Sequence, residues 1–212
     1  MTPVRATTAV LLLAALAGAG EAHAYIVTIN SGDRAVYLRV GDGRFSGRYS
    51  NGGTPLSGGA ISRVAVTVPA AQVGNGTSLP MTANGRTTSD WDGYQFCNAG
   101  QLYVGGFFRR PGNAQGGSLD AILTVTAPAT LTNASGDTIP ISEISWTSSG
   151  NGDGGATQPV LAGTFQGGQQ TLQTNFFRNT WRESCLSFRY ANSQIVGAGT
   201  YTARITYTLT AP

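Results

Sequence analysis

The sequence predicts an all-β fold, an antiparallel sandwich of Greek-key type, and three observations carry that expectation. Gly or Pro interrupts almost every window beyond residue 24, with 30 Gly and 9 Pro among 212 residues, so no long helix can propagate. Thr, Val, Ile and Tyr fill the intervals, and these side chains suit a pleated, half-buried surface. Apolar and polar residues alternate with a period of two in several stretches, which puts one set on a core face and the other in water.

Taken in order, residues 1–24 are expected to be a signal peptide outside the mature fold. Met1 to Arg5 is a short basic start, residues 6–20 are apolar but short for a bilayer span, and Ala22-His23-Ala24 has the small-x-small pattern of a cleavage site. Residues 25–212 read as a single β-sandwich domain with no linker. Strand candidates follow at residues 25–30 and at Ala35–Val40, then a Gly/Ser-rich stretch over 41–59 is expected to be a loop. Val64, Val66 and Val68 share one face of the next candidate. Residues 102–108 form an apolar run, and Leu119, Ala121, Leu123 and Val125 alternate with polar neighbours. Residues 139–146, 171–177 and 185–190 are further candidates. The last is the clearest, with Tyr201, Ala203, Ile205, Tyr207 and Leu209 on one face and Thr-rich positions on the other. The pattern amounts to about nine strands separated by Asn/Gly turns.

The residue inventory excludes much chemistry. All 13 basic residues are Arg, and the single His is His23, inside the expected signal peptide. Without His or Lys the mature chain cannot assemble a Ser-His-Asp or Cys-His set, a Ser-Lys pair or a Schiff base. His-ligated zinc and copper sites are excluded too. Asp33, Asp42, Asp90, Asp92, Asp120, Asp137, Glu143, Asp153 and Glu183 remain; scattered through turn-rich sequence, they are expected to be turn and capping residues. Asp90-Trp91-Asp92 and Asn151-Gly152-Asp153-Gly154 offer oxygen ligands for calcium, but the second lacks the downstream bidentate Glu of a calcium loop. No enzyme activity, cofactor or metal is therefore expected. A net charge of +3 is too small to indicate a nucleic-acid partner, and no later stretch is apolar and long enough to span a membrane.

Export makes the cysteines readable. Cys97 and Cys185, 88 positions apart, are an even pair in an oxidising compartment, so one disulfide is expected. Aromatic residues precede both: Trp91, Tyr94 and Phe96 before Cys97, and Phe176, Phe177 and Trp181 before Cys185. Two readings stay open. The rings pack around the disulfide, or Trp91, Tyr94 and Trp181 form a ligand-binding platform that stacks on sugar rings. Phe107-Phe108-Arg109-Arg110 hints at an anion or partner site, and Asn75-Gly76-Thr77 and Asn133-Ala134-Ser135 match the glycosylation sequon.

The closing stretch Gly199-Thr200-Tyr201-Thr202-Ala203-Arg204-Ile205-Thr206-Tyr207-Thr208-Leu209 resembles the last strand of chaperone–usher pilins and of spore-coat-U-like proteins. Leu131-Thr132-Asn133-Ala134-Ser135-Gly136-Asp137-Thr138-Ile139 is similar to the turn before a return strand in the same proteins. The resemblance covers about a fifth of the mature chain. It implies an incomplete immunoglobulin-like sandwich whose missing strand comes from a periplasmic chaperone or a like subunit, delivered through an usher. On that basis Tyr25, Val27 and Ile29 are expected on the donated face, and Tyr201, Ile205, Tyr207 and Leu209 on the groove or core strand. The implied role is a fimbrial, cell-surface or adhesion subunit, located in the periplasm, outside the cell or on its surface. The alternative is a self-contained module binding a carbohydrate or surface polymer.

Overall fold

The computed structural model describes residues 27–28, 31–41, 44–46, 54–56, 60–88, 95, 97–112, 120–149 and 159–212. The larger sheet is built around β15 (Thr180–Tyr190) and runs β13 (Gly163–Thr164), β12 (Ile144–Ser149), β15, β8 (Leu102–Arg109), β2 (Ala35–Val40). Two short strands, β1 (Val27–Thr28) and β6 (Leu79–Pro80), also pair with β15. The facing sheet runs β14 (Gly168–Phe176), β9 (Ala121–Ala127), β16 (Thr206–Thr210). All these pairings are antiparallel. The chain crosses between sheets from β8 to β9, from β9 to β12, and again through β14, β15 and β16, so sheet neighbours lie far apart in sequence. The expected antiparallel sandwich is the observed one.

The core lies between the two sheets. Leu123 and Val125 from β9, Phe176 from β14 and Leu209 from β16 join Val104, Phe108, Leu186 and Phe188 of the larger sheet in one buried cluster. Alternation in β9 reads directly into burial: Ala121, Leu123, Val125 and Ala127 are buried, while Ile122 and Thr126 are exposed. Phe165 stacks on Phe188 and Trp146 tilts against both in the same core, where the Trp146 indole N–H donates to the Leu161 carbonyl at 2.8 Å.

Four expectations need correction. The described residues hold sixteen strand segments, not about nine, because several ladders last only two or three residues. The expected strand over 139–146 is broken. It comprises the end of β11 (Thr138–Pro140), a single 3-10 turn at Ile141–Glu143 and the start of β12. Pro140 has no N–H to continue a ladder, so the chain turns there. The stretch expected as a loop contains a hairpin, β3 (Arg44–Ser46) with β4 (Thr54–Leu56). Of the valine-rich candidate only β5 (Val64–Ala65) enters a ladder, with β7 (Thr82–Ala83), although burial still alternates over residues 62–68.

The turn singled out at residues 131–139 forms as expected. β10 (Thr130–Thr132) returns as β11, and Asn133, 8% exposed, holds the turn between them. Its Oδ1 accepts from the N–H groups of Ser135 and Asp137, and its Nδ2 donates to Asp137 Oδ2 at 2.9 Å. Gly136 takes the positive φ of 92° that closes it.

Candidate functional site

Two edges of the sandwich lie side by side. Among the described residues β2 pairs only with β8, and β16 pairs only with β9. The two strands nonetheless approach within 8 Å, Cα to Cα. The closing segment is longer than its ladder. It begins at Thr202, whose N–H and C=O both bond to Thr132 (3.1 and 3.0 Å), and continues from Thr206 opposite Thr126 to Thr210 opposite Ile122. Its side chains alternate throughout: Tyr201, Ala203, Ile205 and Tyr207 are half-buried and Leu209 is buried, while Thr202, Arg204, Thr206, Thr208 and Thr210 are exposed. One side of this backbone pairs with β9 and, at Thr202, with β10; on the other side, along the flank of the sandwich, no described strand pairs with it.

That flank is apolar. Leu38 and Val40 of β2, with Ala203, Ile205 and Tyr207 of the closing segment, pack against the core while keeping part of their surface open. Burial raises the Tyr207 phenol far above its ordinary ionisation range, so the ring stays neutral. Close approach of the two sheets depends on Gly106. A Cβ there would lie 2.5 Å from the Tyr37 carbonyl oxygen and 3.3 Å from Leu209 Cδ2. Of the four residues expected on the groove or core strand, Ile205 and Tyr207 are half-buried beside this flank and Leu209 lies in the core. Tyr201 shares their face, and its hydroxyl donates to the Gly197 carbonyl at 2.9 Å. An edge that pairs with no described strand, beside half-buried apolar side chains, can accept an extended segment through backbone hydrogen bonds, with alternate apolar side chains packing on that surface.

Of the segment expected to be donated, the structure describes β1. Val27 lies opposite Trp181 and Thr28 opposite Thr180, within the same chain. Tyr25 and Ile29 fall outside the described residues, as do Trp91 and Tyr94, residues 1–24, and the Asp90, Asp92 and Asp153 oxygens considered for calcium. Among the described residues no group of three or more metal-ligating side chains comes together.

Trp181 does not form an open platform for a sugar. It is 7% exposed and lies on the face of the larger sheet turned away from β9, where it stacks on Tyr37 at 5.5 Å and tilts against Phe107 at 5.9 Å. These residues occupy one rung, since Tyr37 and Trp181 both lie opposite Phe107. The next rung on that face is Arg39–Gly105–Glu183. Gly105 leaves room for the Tyr103 ring to fold over it, because a Cβ there would meet the Tyr103 hydroxyl. The Tyr103 hydroxyl donates to Glu183 Oε2 (2.5 Å), and the Trp181 indole N–H donates to the same oxygen (2.8 Å) and to the Tyr103 hydroxyl (2.9 Å). Arg39 sits 5.3 Å from the centre of the Tyr103 ring, and its Nε donates to the Gly41 carbonyl. The Cys97–Cys185 disulfide closes this layer, with Cα atoms 5.6 Å apart and both residues buried. The first of the two readings of these aromatics therefore holds for Trp181.

Sequence reading missed this polar group. Its signal was present: Trp181, Glu183 and Cys185 are two residues apart in one strand and so share a face. The chain matches no protein-family model and no curated protein.

Proposed function

We propose that this protein is an exported, non-enzymatic structural subunit that assembles by β-strand pairing, its β2/β16 flank receiving an extended segment from a partner. The observation that carries the reading is that the outer edge of residues 206–210 pairs with no other strand among the described residues, beside half-buried apolar side chains of β2. The disulfide fits an oxidising compartment, and among the described residues no helix is long and apolar enough to cross a membrane. The resemblance to chaperone–usher pilins and spore-coat-U-like proteins supplies the partner class: a periplasmic chaperone, an usher and like subunits. A surface or fimbrial location with a part in adhesion follows from the same resemblance. The carbohydrate-binding alternative loses Trp181 as a stacking residue.

The N-terminal segment is the donor in this reading, released from its own β15 to pair with a neighbour. Light scattering on mature protein and on a chain beginning at residue 31 tests it. The mature chain is expected to form oligomers that grow with concentration, and the shortened chain to remain a soluble, folded monomer. Oligomers of equal size from both chains would exclude the donor role.

A further inference from the structure

We infer that one end of the sandwich is a binding site for a polyanionic chain, an acidic polysaccharide whose carboxylate or sulfate groups recur along its length. The modest overall charge conceals a strong local excess. Arg34 directly precedes β2, whose first residue Ala35 lies opposite Arg109, the last residue of β8; Arg110 follows it. Arg178, next to β15, bridges to Phe108. Arg34 is exposed, and Arg109, Arg110 and Arg178 are partly so. Arg182, fully buried, stacks on Phe177 at 4.7 Å beneath them. Among the described residues the acids alongside are Asp33 and Asp120. Desolvation raises the Asp120 carboxyl above its usual range, and Arg182 and Arg178, close enough to act on it, oppose that rise; its carboxylate in turn offsets part of their charge.

The arginines are presented on a braced backbone. Asn179, 5% exposed and at a φ of 56°, fastens the turn after β8 to the turn before β15. Its N–H donates to the Phe108 carbonyl (2.6 Å), its Nδ2 to the Gly112 carbonyl (2.7 Å), and its Oδ1 accepts from the Arg110 N–H (3.0 Å). Arg109 Nε donates to the Asp33 carbonyl at 3.1 Å, which ties the start of β2 to the end of β8. Bracing of this kind lowers the ordering cost of binding.

Chemistry and spacing select the ligand. Guanidinium matches carboxylate, sulfate and phosphate through paired hydrogen bonds. β2, β8 and β15 are adjacent, so cations at their ends spread over about 10 Å at the usual strand spacing. That span suits oxyanions repeated along a polymer better than one small anion. A membrane surface would need an apolar wedge next to the cations, and single-stranded nucleic acid would need open rings for stacking. At this end Phe107, Phe108 and Phe176 are buried, the partly buried Phe177 ring is covered by Arg182, and Val36 is a single exposed aliphatic side chain rather than a wedge.

Heparin serves as the probe. The mature protein is expected to bind it at about 0.15 M salt. Arg34→Gln with Arg110→Gln should weaken binding about tenfold and flatten its salt dependence. Arg63→Gln with Arg204→Gln removes the same charge from exposed sites elsewhere and should change binding less than about twofold. Unchanged melting of all three proteins verifies folding. Failure of the mature protein to bind, equal loss in both variants, or preferential binding to phosphatidylglycerol vesicles would overturn the assignment. None of these results bears on oligomer formation, so this site and the assembly flank stand or fall separately.

Discussion

Replacing both cysteines with alanine, Cys97→Ala and Cys185→Ala, is expected to lower stability by about 2 to 5 kcal/mol. Two effects add. The bridge spans 88 positions, and closing a loop of that length restricts the unfolded chain by roughly 4 to 5 kcal/mol in the loop-entropy account. The cysteines are also 3% and 2% exposed, packed in the layer with Tyr103 and Trp181, so their loss leaves unfilled volume. Urea unfolding of the oxidised wild type against the double variant measures the effect. A midpoint that barely moves would show that the layer holds without its bridge.

Glu183→Ala is the second large effect, an expected loss of about 2 to 4 kcal/mol. Glu183 is 5% exposed, and its Oε2 is the acceptor for both the Tyr103 hydroxyl and the Trp181 indole N–H. Truncation removes the acceptor that both donors share and leaves a gap in a site closed to water. Glu183→Gln keeps an acceptor oxygen of similar shape and is expected to cost less than half as much. Thermal unfolding by circular dichroism, followed with Trp fluorescence, separates the two variants. Equal losses from Ala and Gln would mean that charge rather than hydrogen bonding holds Glu183 in place.

How far the sequence foretold these features depends on how many faces of a strand are buried. β9 and the closing segment each have one wet face, so alternation displayed their core residues directly. β8 and the first half of β15 are buried on both faces. An uninterrupted apolar run such as residues 102–108 carries no period from which to divide Tyr103 and Phe107 from Val104 and Phe108. The second layer was therefore hidden, and Glu183 in it was read as a turn residue. The arginine-rich end was hidden for another reason: residues 34, 109, 110 and 178 are remote in sequence, and only the Arg109-Arg110 pair left a mark. Strand boundaries failed where local backbone chemistry intervened, as at Pro140.

The flank proposed for assembly rests on residues where the resemblance and the alternation coincide, Tyr201 to Leu209. Amide hydrogen exchange, compared between monomer and assembled protein, tests it most directly. Strand addition to this flank predicts new protection at alternate amides in Thr206–Thr210 and in Ala35–Val40, with little change in β9, which already has partners on both sides. Assembly that leaves those two segments exchanging as in the monomer, with protection gained on another surface, would contradict it.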